Sequence, residues 1–348
     1  MSKLNTEEHK KWYESQRPTY ELLSNAVKNT LESLINNSKI DYLSVTIRTK
    51  EVDSFEEKIN RKNYQNPAHE VTDLAGIRVI TFIESDALKI NELIKQSFNV
   101  DDSKSLDKSN ELGIDKFGYR SFHFVCGLGE ARCALPEFEF FKDLVCEIQV
   151  RTVLQHAWAE IEHDRNYKFA GDLPSHIKRR LNLVAGLLEV ADGEFNNLSN
   201  DIDKYSVESL RKTKSGDFDI EINSITIEQY LKESEIVEFV IQSAVEAGFS
   251  YTHQNRYTSL IKVCNYLNIF TIESIDNILK SSRSWVKPYL TNVWKACGSS
   301  PWLGYSAFYI MIIIIAANIK KIKRNQLLEF GWSASKVDCI LDAAKVVK

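Results

Sequence analysis

The sequence predicts an α+β protein, with a mixed β-sheet flanked by helices in residues 1–200 and an all-helical domain in residues 225–348. Three observations lead to this prediction. Strand-like and helical hydrophobic patterns alternate up to residue 200, polar residues with weak periodicity occupy 201–224, and only helical patterns follow. A chain of 348 residues is long enough for two domains, and we take 201–224 as the linker between them.

Each element of the first domain is predicted from its hydrophobic spacing and its β-branched residues. Pro18 is acceptable in the first turn of the first helix. Backbone N–H groups of the first turn have no acceptor within the helix, so a proline there loses no hydrogen bond. The predicted helices cover 18–36, 54–61, 85–97, 154–167 and 175–198, and the predicted strands cover 41–47, 76–83, 121–127 and 144–150.

The second domain is predicted to open with a capping box formed by Thr226 and Gln229. Its helices are interrupted around Gly248, around 298–301 and around Gly331. The apolar segment 302–317 is shorter than the roughly 20 residues that a membrane-spanning helix needs, so we predict a buried helix and no membrane contact. A membrane-contacting helix is the alternative interpretation.

Composition excludes several classes of protein. The formal net charge of −4 argues against attraction of the whole protein to nucleic acid, although a local basic cleft is compatible with it. The six cysteines contain no Cys-x-x-Cys pair, which argues against a zinc site or a disulfide framework. The polar N-terminus has no secretory signal, so we expect a cytoplasmic protein.

Positive charges are concentrated at the end of the first strand and in the helix after it. Arg48 and Lys50 share one face of the strand end, because side chains alternate with a period of two. Lys58 and Arg61 share one face of the helix. Four converging cations suit a polyphosphate, since charge-assisted hydrogen bonds are strong. A solvated charged face is the alternative interpretation.

The segment VTDLAGIRVI places a carboxylate before a buried strand. Mg²⁺ usually binds one or two carboxylates together with phosphate oxygens, so Asp73 is a candidate magnesium ligand at the mouth of a phosphate pocket. A turn cap is the alternative role for Asp73. Arg78 lies within an apolar run, where an arginine needs a partner.

Two later segments add groups that suit a nucleotide. In KFGYRSFHF, Tyr119 can stack on a base, while Arg120 and His123 can contact phosphate or ribose. In CEIQVRT, alternation places Glu147, Gln149 and Arg151 on one strand face, and three polar groups on one face indicate a cleft.

In this order, the segments resemble the synthetase domain of RelA/SpoT homologues, especially that of the small alarmone synthetases. The resemblance covers roughly residues 40–170. It implies a nucleotidyltransferase-like fold. It rests on five motifs in the correct order: RTK at 48–50 with Ser54, Lys58 and Arg61, TDLAGIR at 72–78, GYRSFH at 118–123, EIQVRT at 147–152, and HAWAEIEHDRNYK at 156–168.

The resemblance implies a Mg²⁺-dependent transfer of the β,γ-pyrophosphate of ATP to the 3′-hydroxyl of GDP or GTP. It implies that Asp73 and Glu147 bind the metal, or that Glu147 activates the hydroxyl. The implied ATP-binding residues are Arg48 and Arg78 at the adenine and Lys50, Ser54, Lys58 and Arg61 at the phosphates. The implied acceptor-binding residues are Tyr119, Arg120, His123, Gln149 and Glu162.

Two departures from the family limit the resemblance. The usual acceptor loop has Lys-x-Asn-Gly-Tyr, whereas residues 115–119 are DKFGY, so the choice of acceptor stays open. The segment before Arg48 is too short for the N-terminal hydrolase domain of the long family members, and we therefore expect synthesis without hydrolysis.

Two other functions remain as alternatives. A toxic relative would pyrophosphorylate the 3′-CCA end of tRNA or make an adenosine alarmone, with the C-terminal domain restraining it as an antitoxin or phage sensor. Lys10, Lys11 and Arg17 would then contact the RNA backbone. A non-catalytic sensor is the third hypothesis. The C-terminal domain is interpreted as regulatory, through a protein trigger or self-association, by analogy with fused toxin–antitoxin proteins.

Overall fold

The computed structural model describes residues 3–62, 64, 66–107, 121–168, 174–297, 303–330 and 332–344. The chain divides into two compact units, Met1–Ser199 and Asn200–Lys348. The mixed sheet with flanking helices in the first part and the mainly helical second part are both confirmed.

The first unit alternates strands and helices much as the hydrophobic patterns predict. Its helices are α1 (Lys3–Asn37), α2 (Val52–Lys62), α3 (Pro67–Glu70), α4 (Glu84–Ser97), α5 (Glu130–Cys133) and α6 (Val153–Lys168), with a 3₁₀ turn at Glu139–Phe141. Helix α7 (Ser175–Ser215) begins in the first unit, and its residues from 200 onwards belong to the second. The strands of the first unit are β1 (Ser44–Thr49), β2 (Ala75–Thr81), β3 (Asn99–Val100), β4 (Leu106–Asp107), β5 (Phe122–Gly127) and β6 (Cys146–Thr152).

The strands form one mixed sheet in the order β1-β2-β6-β5-β3, and β4 also pairs with β5. Strand β2 is antiparallel to β1 and parallel to β6, while β5 is antiparallel to β6. Helices α1 and α4 supply apolar side chains to the same core as β2 and β6. Because side chains alternate across a strand, burial of this apolar set leaves the polar set on the opposite face.

Helix α1 begins fifteen residues before Pro18, so the prediction that Pro18 lies in the first turn is wrong. An interior proline costs about 3 kcal/mol relative to alanine, because it removes a hydrogen bond and clashes with the preceding turn. Tertiary contacts of the first half offset this cost. Tyr13 is fully buried, its ring lies 4.5 Å from that of Phe55, and its hydroxyl donates to the Lys50 carbonyl oxygen at 2.6 Å.

The segment 201–224 also differs from the linker that the sequence predicts, because α7 continues through residues 201–215. The buried positions there include Ser209 and Thr213, and the Thr213 hydroxyl donates to the Ser209 carbonyl oxygen at 2.9 Å. A helix face built from small hydroxyl residues gives a weak hydrophobic pattern. Periodicity alone therefore does not detect the end of this helix.

The second unit has its own hydrophobic core. Its helices are α8 (Ser224–Glu233), α9 (Glu235–Ala247), α10 (Thr258–Tyr266), α11 (Ile272–Ser282), α12 (Val286–Ala296), α13 (Ser306–Ala317), α14 (Arg324–Glu329) and α15 (Ala334–Ala344). A short parallel pair joins β7 (Ser250–Tyr251) to β8 (Leu303–Gly304), so the prediction of helices alone is wrong in this detail.

The capping box that opens α8 is also different from the predicted one. Asn223 is the N-cap, its side chain accepts from the Thr226 N–H, and the Thr226 hydroxyl accepts from the Asn223 N–H. Gln229 instead donates to the Ser206 carbonyl oxygen at 2.8 Å. The reciprocal cap is thus formed by Asn223 and Thr226, three residues before the predicted pair of Thr226 and Gln229.

Helix α13 corresponds to the apolar segment that raised the question of a membrane. Residues 309–315 are all nearly or completely inaccessible to solvent, and they pack into the core of the second unit. Among the residues that the structure describes, no helix has the length and apolar character required to cross a membrane.

Candidate active site

A cleft of about 590 Å³ lies on the polar face of the sheet in the first unit. It collects most of the residues that the sequence assigns to metal and ATP. The predicted residues that line it are Arg48, Lys50, Ser54, Lys58, Arg61, Asp73, Arg78, Glu147 and Gln149. Two further acidic residues, Glu57 and Glu160, line it as well.

The strand register explains why these side chains converge. Arg48, Gly76 and Glu147 form one row across β1, β2 and β6. Arg78 and Gln149 form the next row on the same face, and His123 of β5 continues it. Gly76 allows the backbones of β1 and β2 to approach closely in the first row, since a Cβ at this position would lie 3.0 Å from the Arg48 carbonyl oxygen.

Asp73 is held by two lysines. Lys50 Nζ lies 2.8 Å from Asp73 Oδ2, and Lys58 Nζ lies 2.8 Å from Asp73 Oδ1. Lys50 follows the end of β1 and Lys58 lies on α2, so the carboxylate joins the two elements that carry the predicted phosphate-binding cations. The three side chains are between 14% and 26% exposed, which limits screening of these ion pairs by solvent.

Glu147 accepts a set of converging hydrogen bonds. His123 Nδ1 lies 3.1 Å from Glu147 Oε1, and the Gln149 side-chain amide donates to the same oxygen at 2.6 Å. Arg151 in turn donates to Gln149 Oε1 at 2.7 Å. The side chains of β6 and β5 therefore fix the orientation of the Glu147 carboxylate.

These contacts determine the protonation state of Glu147. Burial of the carboxyl group raises its pKa, but the hydrogen bond and charge of His123, the Gln149 amide and the Lys58 ammonium lower it more. The result is a pKa of about 2. Glu147 is therefore an anion throughout the physiological pH range.

Arg78 is oriented by the helix that follows β6. Its Nη1 lies 2.9 Å from Glu160 Oε1, and His156 Nδ1 lies 3.7 Å from the same oxygen. Partial burial and the nearby charge of Arg78 lower the pKa of His156, although Glu160 opposes this shift. Glu160 thus keeps the guanidinium group of Arg78 in the cleft.

Arg48 and Arg61 are the cleft cations that form no ion pair within the described part of the chain. The described lining contains five cationic and four acidic side chains, a formal excess of one positive charge. The cleft is thus close to electroneutral, and its two unpaired guanidinium groups are available to an anion.

The acceptor-binding residues are only partly placed. His123 and Gln149 lie at the Glu147 carboxylate, whereas Glu162 is partly exposed and is not part of the cleft lining. Tyr119 and Arg120 lie outside the described residues.

Two of the three basic residues considered for RNA binding are closely paired with acidic groups, whereas Lys11 lies 3.9 Å from the exposed Glu7. Lys10 Nζ lies 2.7 Å from Glu56 Oε2. Arg17 forms ion pairs with Glu21 at 2.8 Å and with Glu51 at 2.9 Å. Such pairs offer less attraction to an RNA backbone than free cations would.

Sequence reasoning missed Glu57 and Glu160 as residues of the site. Glu160 lies four positions after His156 on one helix face, and this spacing was the available signal. Its partner Arg78 is 82 positions away in the sequence, so the ion pair becomes visible only once β2 and α6 are adjacent.

The residues present are compatible with a Mg²⁺ ion. Asp73 and Glu147 both line the cleft, and Lys58 is close enough to affect both carboxylates. Among the described residues, no group of three or more His, Cys, Asp or Glu side chains has a metal-binding arrangement. Two carboxylates suit an ion that keeps several waters and takes its remaining ligands from phosphates.

Comparison with known proteins gives consistent matches for this part of the chain. Residues 47–172 match the sequence profile of the region found in RelA/SpoT proteins. The chain is similar to GTP pyrophosphokinase YjbM of Bacillus subtilis (strain 168), at 29% identity over 187 residues that cover 52% of this chain and 82% of that protein. It is also similar to GTP pyrophosphokinase YwaC of the same organism, at 26% identity over 161 residues that cover 45% and 73%.

A solved structure is similar over the same share of the chain. The crystal structure of the small alarmone synthetase 1 from Bacillus subtilis aligns with a TM-score of 0.47 at 27% identity, covering 56% of this chain and 98% of that one.

Proposed function

We propose that the protein is an ATP-dependent pyrophosphokinase that synthesises (p)ppGpp, since residues 47–172 match the profile of the region found in RelA/SpoT proteins. In the reaction, the 3′-hydroxyl oxygen of GDP or GTP attacks the β-phosphorus of ATP, the bond between the α–β bridging oxygen and that phosphorus breaks, and AMP leaves. The observation that carries the proposal is the convergence of five cations and two candidate metal carboxylates in one cleft.

The lining of the cleft has side chains that suit both the base and the phosphates of ATP. Arg48 and Arg78 come from neighbouring strands, and the plane of a guanidinium group stacks well on a base. Lys50, Lys58 and Arg61 also line the cleft, and their ammonium and guanidinium groups would bind the phosphates. Ser54 adds a hydroxyl on the same helix as Lys58 and Arg61.

Asp73 and Glu147 are the residues that would hold Mg²⁺ in this cleft. The ion would neutralise charge on the transferred phosphates and orient them. The hydrogen bonds to Glu147 keep its carboxylate ionised, and that charge would support either metal binding or activation of the 3′-hydroxyl. The array of cations lowers the barrier mainly by positioning and by electrostatic stabilisation.

The toxic relative remains a second candidate, because the DKFGY segment departs from the family pattern at the acceptor loop. Its product would be tRNA with a modified 3′ end, or an adenosine alarmone. The ion pairs of Lys10 and Arg17 give the tRNA version less support. In both versions the second unit is proposed to regulate the first, through a protein trigger, through self-association or as an antitoxin.

The direct test is incubation of the purified full-length chain with γ-³²P-ATP and Mg²⁺. Parallel reactions contain GDP, GTP, ATP alone or bulk tRNA, and the labelled products are separated by chromatography. We expect label on the guanosine nucleotides, and loss of it in Asp73→Asn. The control variant is Glu137→Gln, which changes an exposed carboxylate outside the cleft and should keep full activity.

Other outcomes would change the assignment. Label on tRNA alone, or on an adenosine nucleotide alone, would replace the proposed acceptor and favour the toxic relative. Full activity of Asp73→Asn would contradict the proposed metal site. Absence of any labelled product, combined with retained ATP binding, would favour the non-catalytic sensor.

A further inference from the structure

Both oxygens of the proposed metal carboxylate are occupied by the protein's own cations. Lys50 Nζ lies 2.8 Å from Asp73 Oδ2 and Lys58 Nζ lies 2.8 Å from Asp73 Oδ1. This distance lies within the range of a strong charge-assisted hydrogen bond between an ammonium group and a carboxylate. Asp73 therefore offers no unshared oxygen to a cation in this state.

One oxygen of the second proposed ligand is engaged as well. The Gln149 amide and His123 Nδ1 both approach Glu147 Oε1, at 2.6 Å and 3.1 Å. Lys58 also adds positive potential at Glu147. A divalent ion that enters this region alone would displace one or both ammonium groups and lie beside them, where like charges repel strongly in a partly buried cleft.

A nucleotide changes this balance. Its phosphates offer the two lysines acceptors with more negative charge than a single carboxylate provides. When the ammonium groups move to the phosphates, both Asp73 oxygens become available next to the phosphate oxygens that complete a Mg²⁺ shell. The same two side chains, which contact Asp73 here, would then contact the nucleotide.

We propose that Lys50 and Lys58 act as positioning residues whose ion pairs prevent Asp73 from binding a free metal ion. The metal ion would then bind at this site only together with the nucleotide. The proposal rests on the assignment of the cleft as a nucleotide site. It concerns the order of binding, and it does not depend on which nucleotide accepts the pyrophosphate.

The test measures metal binding rather than turnover. Mn²⁺ serves as the probe, and the free ion is quantified by electron paramagnetic resonance in titrations of the full-length chain. Without nucleotide, wild type should bind no Mn²⁺ at the cleft at ion concentrations of the order of the millimolar. With a non-hydrolysable ATP analogue at saturation, one Mn²⁺ per cleft should bind beyond what the analogue binds alone.

The variant that separates the two states is Lys58→Met, which keeps most of the length of the side chain and removes its charge. It frees Asp73 Oδ1 and removes a nearby positive charge, so nucleotide-free Mn²⁺ binding should become at least tenfold tighter than in wild type. Lys62→Met is the matched control, because Lys62 lies on the same helix, is exposed and does not line the cleft.

A second variant shows whether the new binding occurs at Asp73. Adding Asp73→Asn to Lys58→Met should remove the gain. Wild type that binds Mn²⁺ without nucleotide as tightly as Lys58→Met would overturn the proposal, and so would a gain that persists without Asp73. Circular dichroism melting of each variant verifies folding, and Lys50→Met provides an independent version of the test should Lys58→Met not fold.

This outcome is distinguishable from failure of the proposed function. An inactive wild-type protein that nevertheless shows nucleotide-dependent Mn²⁺ binding would refute the pyrophosphokinase and leave the binding order intact. An active protein that binds Mn²⁺ tightly without nucleotide would support the pyrophosphokinase and refute the proposed order of binding.

Discussion

The protonation state of Glu147 illustrates how strongly single residues in this cleft depend on their neighbours. Burial by itself would favour the neutral acid, yet His123, Gln149 and Lys58 keep the carboxylate ionised with a pKa of about 2, against an ordinary value of 4.5. A depressed folded-state pKa stabilises the folded protein above the unfolded pKa, and this contribution disappears as the pH falls towards the folded value.

The first prediction concerns this linkage. Above pH 4.5 the ionised Glu147 should contribute about 3 kcal/mol to the free energy of unfolding, an order-of-magnitude figure from the pKa shift, and this contribution should vanish between pH 4.5 and pH 2. Urea unfolding of wild type and Glu147→Gln at several pH values tests it. The difference between the two proteins should shrink as the pH falls, and a difference that stays constant with pH would contradict the assignment.

The second prediction concerns Glu160 and its neighbour in the same motif. Glu160→Gln removes the ion pair that orients Arg78, so the KM for ATP should rise while kcat changes little. Because the pair is partly exposed, we expect a modest increase in KM, about two- to tenfold. Steady-state kinetics with each substrate varied in turn measure this. Glu162→Gln is the comparison variant. It should leave the KM for ATP unchanged and, as the family resemblance implies, raise the KM for the acceptor.

Most residues of the cleft could be predicted because they lie in short motifs with fixed spacing. Arg48, Asp73 and Glu147 each mark the end or the face of a strand whose hydrophobic partners are recognisable in the sequence. The ion pairs could not be predicted in the same way. The Lys58–Asp73 and Arg78–Glu160 pairs depend on how elements distant in the sequence pack, and hydrophobic spacing contains no such distances.

At the scale of elements, two glycines provide a contrast between packing and backbone freedom. Gly248 ends α9 at φ +112°, and a Cβ there would lie 2.7 Å from the Trp294 ring. Gly193 lies within α7, and a Cβ there would meet no atom within 4 Å. The same substitution therefore has opposite consequences at the two positions.

The third prediction follows from this contrast. Gly248→Ala should destabilise the second unit by about 2 kcal/mol or more, because it combines a left-handed backbone with a steric clash. Gly193→Ala should stabilise the protein by about 0.5–1 kcal/mol, because alanine favours the helix. Thermal and urea unfolding of both variants test the pair, and equal effects in the same direction would show that the local geometry is wrong.

Helix boundaries were the elements that sequence patterns predicted least well. The start of α1 and the end of α7 both extend beyond the predicted limits, by residues 3–17 and by residues 199–215. In each case tertiary packing outweighs a local signal. Tyr13 stabilises the helix on the far side of a proline, and buried hydroxyl residues replace the apolar ones that a pattern search requires.

At the scale of the molecule, each unit has a separate hydrophobic core, and all the cleft residues belong to the first. The number and class of the two units were predictable from composition and periodicity. The function of the second unit was not predictable, because its most distinctive residues are hydrophobic ones, such as Ile310 and Ile315, and these are buried in its core.

The fourth prediction tests whether these cores are energetically separate. Ile313→Ala removes a fully buried side chain from α13 and should cost about 2–5 kcal/mol in the second unit. Hydrogen exchange followed by mass spectrometry should show faster exchange for the slowest amides of residues 224–344, with those of β2 and β6 unchanged. Equal acceleration in both units would indicate one cooperative unit instead of two.

The order of the strands also bears on how the cleft assembles. Lys50, Lys58 and Asp73 lie close together in the chain, just after β1, on α2 and just before β2. Glu147 follows about seventy residues later on the parallel strand β6. Parallel pairing over such a separation closes a long loop and is slow compared with local contacts. During synthesis we therefore expect the lysine–aspartate cluster to form first, and the nascent protein acquires its second carboxylate only when β6 docks.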